Sequence, residues 1–534
     1  MFQQLLTPIG DSLLASALVA AIPVSIVLLL LGVARRPAWQ ASLAGLLATM
    51  AIAVLLWRMP LALALDSTAA GVVFALWPVM WIVFNSLVLY NVAVLSGRFD
   101  AFRAWVIAHL PDDRRVILVV IGYCFGSLLE GVCGFGTPVA ITSALLIALG
   151  FRAVDAVVYT VMFNTAPVAF GALGTPVTTL GAVTGFPDHV LGAMIGRQLP
   201  FFALLLPFYV VGIYGGLRSL RELWPVLLVA GASFALGQFV TSNYIGYELT
   251  DVVSSLLSLI ATVIFLRFWR ARTSAGFAVD TGGPAVPAGQ GVAPWQGWLP
   301  WLIVSALVIV WTVLKVPAAG QLRLPWPGLD NAVFITAYQR PYAAVWLFQP
   351  LATGTAILVA SLITAFAVGV GVRGYARAVV TTWVQIRLAI LTVMLIIGMA
   401  YLMNYSGLTY TLGLAVASTG AVFPLVSAFL GWLAVFLSGS DTSGNALFGN
   451  LQVVAARQLN LDPVLFAATN SSGGVMGKMI SPQNISTGCS TSNLAGSEGA
   501  VFARTFRHSV ILTLLLGILV ILQQYVFTWM IPRH

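Results

Sequence analysis

The sequence predicts an all-α polytopic membrane protein of two inverted-topology repeats, each carrying a re-entrant helical hairpin and an interrupted helix. Three observations lead there. Of 534 residues, 60% are hydrophobic and 8% charged, whereas soluble globular domains carry about 25% charged residues. Apolar stretches of about 20 residues recur from end to end, long enough to cross the hydrocarbon as helices, and the alternating segments of about ten residues that mark a membrane β-barrel are missing. Finally, the second half repeats the first. Asn164, Gly171, Thr175 and Pro176 in FNTAPVAFGALGTP match Asn470, Gly477, Ser481 and Pro482 in TNSSGGVMGKMISP, and 470−164, 477−171, 481−175 and 482−176 all equal 306.

The elements follow in order. Met1 to Asp11 lacks a charged n-region, so no cleavable signal is expected, and the apolar run 12–34 spans by itself. Further crossings are read at 39–57 and 69–96, followed by an amphipathic stretch at 98–115. The segment 116–150 is apolar on both sides of the glycine-rich EGVCGFGTP and is read as the first hairpin. An interrupted helix at 155–180 and crossings at 190–216, 223–242 and 251–269 come next, then a Gly/Pro/Ala-rich polar linker over 270–297. The second half runs through 298–315, 350–371, 379–402 and a connecting stretch 404–421. It ends with a hairpin at 422–460 around SGSDTSGN, an interrupted helix at 462–481 and a crossing at 508–530. The domain reading is repeat one over 1–216, a connecting pair of crossings plus cytoplasmic linker over 217–297, and repeat two over 298–534. That makes about twelve crossings plus two hairpins.

The net charge of +9 comes from arginines standing singly or in pairs at helix ends, which are topology determinants and not a nucleic-acid surface. With Met1 outside and each hairpin returning to its side of entry, most basic residues fall in the cytoplasm. These are Arg35, Arg36, Arg98, Arg103, Arg114, Arg115, Arg152, Arg218, Arg221, Arg267, Arg270, Arg272, Arg373, Arg377, Arg504 and Arg507. Arg58, Lys315, Arg323, Arg340, Arg457 and Arg533 fall outside. The repeats then enter from opposite faces. Cys124, Cys133 and Cys489 have neither metal-ligand spacing nor a disulfide framework.

Inside hydrocarbon every backbone N–H and C=O needs a partner, so a broken helix survives only where protein or water lines it. Four breaks in two matched pairs therefore point to a polar site at mid-membrane. Exposed helix N-termini bring partial positive charge and free N–H donors suited to a carboxylate. The candidate substrate-binding residues at these breaks are Gly134, Gly136, Thr137, Asn164, Thr165, Ser440, Thr442, Ser443, Asn445, Asn470 and Ser471. Ionisable groups at membrane depth are costly and are functional candidates by default. Lys478, one of only two lysines, and Arg387, inside a crossing, are read as substrate-binding cations; Glu130 and Asp441, at the hairpin breaks, are read as proton-coupling acids. Asp155 and Asp462 each cap the start of an interrupted helix.

Taken together, EGVCGFGTPVAI, NTAPVAFGALGTP, SGSDTSGNALFGNLQ and SSGGVMGKMISPQNI closely resemble the lactate permease family, and the resemblance covers nearly the whole chain. It implies a multi-pass protein of the bacterial inner membrane that takes up L-lactate with protons and accepts D-lactate and glycolate too. No cofactor beyond the co-transported proton is implied; the partners are a small monocarboxylate anion, a proton and the lipid bilayer, with no nucleic acid. The family resembles a broader ion-transporter superfamily with two re-entrant hairpins and elevator-type alternating access. Two other readings stay open. One is a sodium- or proton-coupled carrier of di- or tricarboxylates or sulfonates, which would want more fixed positive charge than Lys478 plus Arg387. The other is a membrane subunit of a respiratory proton pump, which would need a line of midplane lysines and histidines. A membrane-embedded hydrolase is a weaker reading still: HExxH is absent, and the Asp and His positions show no pairing pattern typical of nucleophilic catalysis, so no enzyme is expected.

Overall fold

The computed structural model describes residues 1–532 apart from 33, 35, 109, 133, 135–136, 270–274, 279–291, 492–493 and 495–496. A two-residue strand β1 (Phe2–Gln3) precedes α1 (Leu13–Gly32), α2 (Ala38–Leu55), α3 (Leu61–Phe74) and α4 (Trp81–Leu95). After α5 (Arg98–Ala108), a buried arm runs through α6 (Arg114–Ile117), a wide π turn (Leu118–Phe125) and α7 (Gly126–Val132). It packs against α8 (Thr137–Ala148), and the two form the first hairpin. The hairpin is pinned at its base: Arg115 holds Asp113 at 2.8 Å and Glu222 at 2.6 Å.

The first interrupted helix is α9 (Ala153–Phe163) followed by a bend of 64° into α10 (Gly171–Thr184). Three consecutive residues at the start of α10, Ala172, Leu173 and Gly174, take positive φ values of 44°, 54° and 77°. Left-handed backbone is strained for the first two, so the surrounding packing must hold it. Then come α11 (Asp188–Ile195), α12 (Leu199–Val240, reversing at Gly216 with φ 71°) and α13 (Thr250–Phe268). In the second half, α14 (Leu299–Val313) leads to four short strands, β2 (Leu322–Pro325), β3 (Val333–Ile335), β4 (Arg340–Pro341) and β5 (Val345–Phe348). β2 pairs antiparallel with β5, and β3 lies between β4 and the amino-terminal β1, with Phe2 opposite Val333. This strand cap was not expected from the sequence.

The helices α15 (Thr353–Ala367), α16 (Val372–Ser406) and α17 (Leu408–Ala417) follow; the expected connecting stretch over 404–421 is largely helical. The second hairpin is α18 (Phe423–Ser438) and α19 (Asp441–Gln458), joined by Gly439 in the left-handed region at φ 71°. α20 (Pro463–Lys478) is unbroken, and its interruption lies at Met479–Ser481, before α21 (Pro482–Thr491); α22 (Glu498–Tyr525) ends the described helices. Asp462 caps α20 through the Val464 and Leu465 amides, as expected, whereas Asp155 pairs with Arg504. Among the described residues, eight helical segments are long and apolar enough to cross a membrane, or ten counting two bent pairs. The linker over 270–297 falls mostly outside the described residues.

One expectation is corrected here. Gly477 was read as part of a break, yet it is helical, and a Cβ on it would lie 2.1 Å from the Trp432 carbonyl oxygen. Gly473 makes the same approach to Ala428, at 2.2 Å. These are packing glycines that let α18 and α20 touch backbone to backbone, as small residues do in membrane helix pairs.

Candidate functional site

All four interruptions meet. A cavity of about 60 Å³ is lined by Gly134 at the first hairpin tip and by Gly439, Ser440, Asp441 and Thr442 at the second. Gly171, Ala172 and Pro176 line it from the first interrupted helix, and Lys478, Gln483 and Asn484 from the second. At about 10–15 Å³ per water it has room for about five waters, the scale of a three-carbon hydroxy acid. The right-handed start of α10 at Thr175–Pro176 and the first turns of α19 and α21 all border it, so the positive ends of three helix dipoles converge.

Glu130 and Lys478, both buried, form the charged pair of the site, with Nζ 2.7 Å from Oε1. Asn164, the last residue capping α9, donates from Nδ2 to the other carboxylate oxygen at 3.0 Å. Gly171 leaves room for this pair, because a Cβ there would sit 2.8 Å from Glu130 Oε1. The pair joins the first hairpin to the second interrupted helix. The converse bond also exists: Asn445 of the second hairpin donates to the Pro176 carbonyl in the first interrupted helix, at 3.1 Å. The two halves are thus tied crosswise around the cavity.

Asp441 faces the cavity differently. Its Oδ2 accepts from Ser471 at 2.5 Å and from Asn445 at 3.3 Å, while the buried Oδ1 has no hydrogen-bond partner. No cation lies in salt-bridge contact with it among the described residues. Ser440 caps α19 by accepting from the Ser443 amide.

The remaining expected residues divide plainly. Thr442 lines the cavity. Asn445, Asn470 and Ser471 are buried behind it in a polar network: Asn470 donates to Asn445 at 2.9 Å and accepts from Gln452 at 2.8 Å. Thr165, just past the end of α9, donates to the Met162 carbonyl, and Ser443 is buried beside the tip. Gly136 and the side chain of Thr137 lie outside the described residues. Arg387 is not at the site: it is exposed on α16 among the outward-facing Trp383, Val384 and Leu388. A position inside an apolar run does not reveal which face it occupies, and here it is the outer one.

Gln483 and Asn484 were missed, although they directly follow the repeated Pro482. Asp251 was missed as well. It is fully buried, neither carboxylate oxygen has a hydrogen-bond partner, and its Cβ lies 2.7 Å from where a Cβ on Gly131 would fall. It therefore sits one residue along from Glu130, behind the charged pair. It is the first residue of the expected crossing 251–269, and nothing in its local sequence sets it apart.

A family profile described as L-lactate permease matches residues 16–527. The chain belongs to the L-lactate permease family. It is 41% identical to the L-lactate permease of Bacillus subtilis, over 99% of both chains. It is 42% identical to the glycolate permease GlcA of Escherichia coli, again over 99% of both, and 40% identical to the L-lactate permease of the same organism over the full length of each. Among solved structures it is similar to the YdaH transporter of Alcanivorax borkumensis (TM-score 0.46, 16% identical, covering 88% of this chain and 89% of that one), a likeness too loose to carry an argument. Membership in this family, with the apolar helices above, makes the chain a multi-pass membrane transport protein and not an enzyme.

Proposed function

We propose that this protein carries L-lactate, and also D-lactate and glycolate, across a bacterial inner membrane together with a proton. The observation that supports it best is the meeting of four chain interruptions, one lysine and three helix N-termini around a single small cavity. The carboxylate would be held by the helix N-termini and Lys478, and its hydroxyl by Ser440, Thr442, Gln483 or Asn484. The same charge balance argues for one carboxylate and against di- or tricarboxylates, since Glu130 already offsets Lys478, the only cation lining the cavity among the described residues.

Proton coupling follows from charge. A lactate carboxyl has a pKa of about 4, like that of Asp, and is ionised at neutral pH. Moving that anion inward against an inside-negative potential costs about 2.3 kcal/mol per 100 mV, which one accompanying proton cancels. Of the two expected acids, Glu130 is committed to Lys478, which leaves Asp441 as the better proton carrier. Asp251, buried and unpartnered, is a third candidate of the same kind. The wider reading places Met1 outside, counts about twelve crossings plus two hairpins in two inverted repeats bounded as above, and has the hairpins and interrupted helices move as one unit. An elevator stroke in alternating access is taken by analogy with the superfamily.

The test is the external pH of proteoliposomes on adding lactate, glycolate or succinate, without sodium. Alkalinisation with the first two and none with succinate is expected. Sodium-dependent uptake or a succinate response would favour the di- or tricarboxylate reading instead.

A further inference from the structure

A second and much larger cavity, about 880 Å³, lies under the strand cap. It is bounded by β2–β5, the carboxyl ends of α10 and α16, α17 and the far end of α19. Arg323, Arg340 and Arg457 line it, and no Asp or Glu does. None of the three forms an ion pair among the described residues. Arg457 is held between two rings, 4.6 Å from the Tyr338 centroid and 5.6 Å from that of Phe186, and Arg340 stands 5.8 Å over the same tyrosine. Stacking on aromatic faces fixes guanidinium planes while leaving their N–H edges to a ligand. The indole N–H of Trp346, also lining the cavity, is buried without an acceptor.

The position of this chamber matters as much as its charge. α19 starts at the small cavity with Asp441 and Thr442 and reaches the large one with Arg457, about 24 Å of helix later. α10 makes the same journey, from Gly171 and Ala172 to Gly181–Thr184. The two cavities thus lie at opposite ends of the same pair of helices. Walls of one sign around a water-filled recess focus the field and raise the local concentration of the opposite ion. Guanidinium matches a carboxylate with two parallel N–H donors.

We propose that this chamber is an outer binding site for small carboxylate anions, distinct from the central cavity, which gathers them and delivers them to it. The binding part stands on the arginines alone; delivery rests on the transport reading above. Arg323, Arg340 and Arg457 act together by charge, and the cap keeps the anion close to α10 and α19.

Both parts are tested with full-length protein in vesicles of phosphatidylcholine alone, so that no lipid anion competes. Replacing all three arginines by Gln is expected to raise the KM for lactate uptake about tenfold and to flatten its dependence on ionic strength. Vmax should stay within about twofold, since the central site is untouched. Replacing all three by Lys should restore KM. Unchanged KM and salt dependence in the Gln variant overturns delivery, as does a Lys variant no better than Gln. Binding is read without transport, by phenylglyoxal modification mapped by mass spectrometry: lactate is expected to slow modification of these three arginines and not of the exposed Arg387. Equal rates with and without lactate overturn the outer site. A wild type that moves no lactate yet shows this protection removes the transport reading and leaves the site.

Discussion

Gly171 and Gly477 hold equivalent places in the 306-residue repeat, and their surroundings differ completely. Beside Gly171 lies the Glu130 carboxylate, which occupies the space a methyl group would take. Beside Gly477 lies the Trp432 backbone, pressed against it by the contact of α18 with α20. One glycine makes room for a charge, the other for a helix. The acids of the two hairpins diverge in the same way: Glu130 is clamped by Lys478 and Asn164, while Asp441 keeps one oxygen without a partner. At one hairpin the carboxylate is neutralised by a lysine from the other half of the chain, and at the other one carboxylate oxygen is left without a hydrogen-bond partner.

The sharpest way to break this contrast is to remove the clamp. Lys478→Ala should abolish lactate counterflow, a loss of about 100-fold or more, and should cost about 3–5 kcal/mol in stability by leaving Glu130 buried alone. Pairing Glu130→Gln with Lys478→Met should recover the thermal stability in detergent and not the counterflow. Normal counterflow in Lys478→Ala would remove the lysine from the site. Asp441→Asn should uncouple uptake from the pH gradient, lowering gradient-driven accumulation by about tenfold while lactate exchange continues. An unaltered pH response there, with the loss appearing in Asp251→Asn, would move the proton to the acid behind Glu130.

Substitution of the two glycines is expected to separate fold from site. Gly477→Ala should act on the fold, costing about 1–3 kcal/mol by forcing α18 and α20 apart, with a lower melting temperature and little change in KM among surviving protein. Gly171→Ala should act on the site, raising KM through a displaced Glu130 with a smaller loss of melting temperature. The smallest effect belongs to Arg387→Gln, which should leave counterflow within about twofold of wild type because its side chain faces outward.

Several of these features were legible in the residues. A constant offset across Asn, Gly, Thr/Ser and Pro is hard to produce except by repetition, and it pointed to segments that do line one cavity. What one letter left ambiguous was the reason for a glycine: a break and a close helix contact both select it, so Gly477 was misread while Gly171 was placed correctly. Arg387 and Asp251 show the same gap from opposite sides. Hydropathy placed both at or near a crossing, but only packing shows that one faces outward and the other lies beneath the ion pair. The strand cap was illegible because its strands are two to four residues long, and their pairing partners are supplied by distant parts of the chain.

Phe2 and Gln3 form a strand only with residues 333–334, and the Gln4 side chain donates to the carbonyls of Asn404 and Tyr405. During synthesis the amino terminus therefore stays unfastened until most of the polypeptide has been inserted. Its docking is a late latch, closed only once the chain has been made past Tyr405.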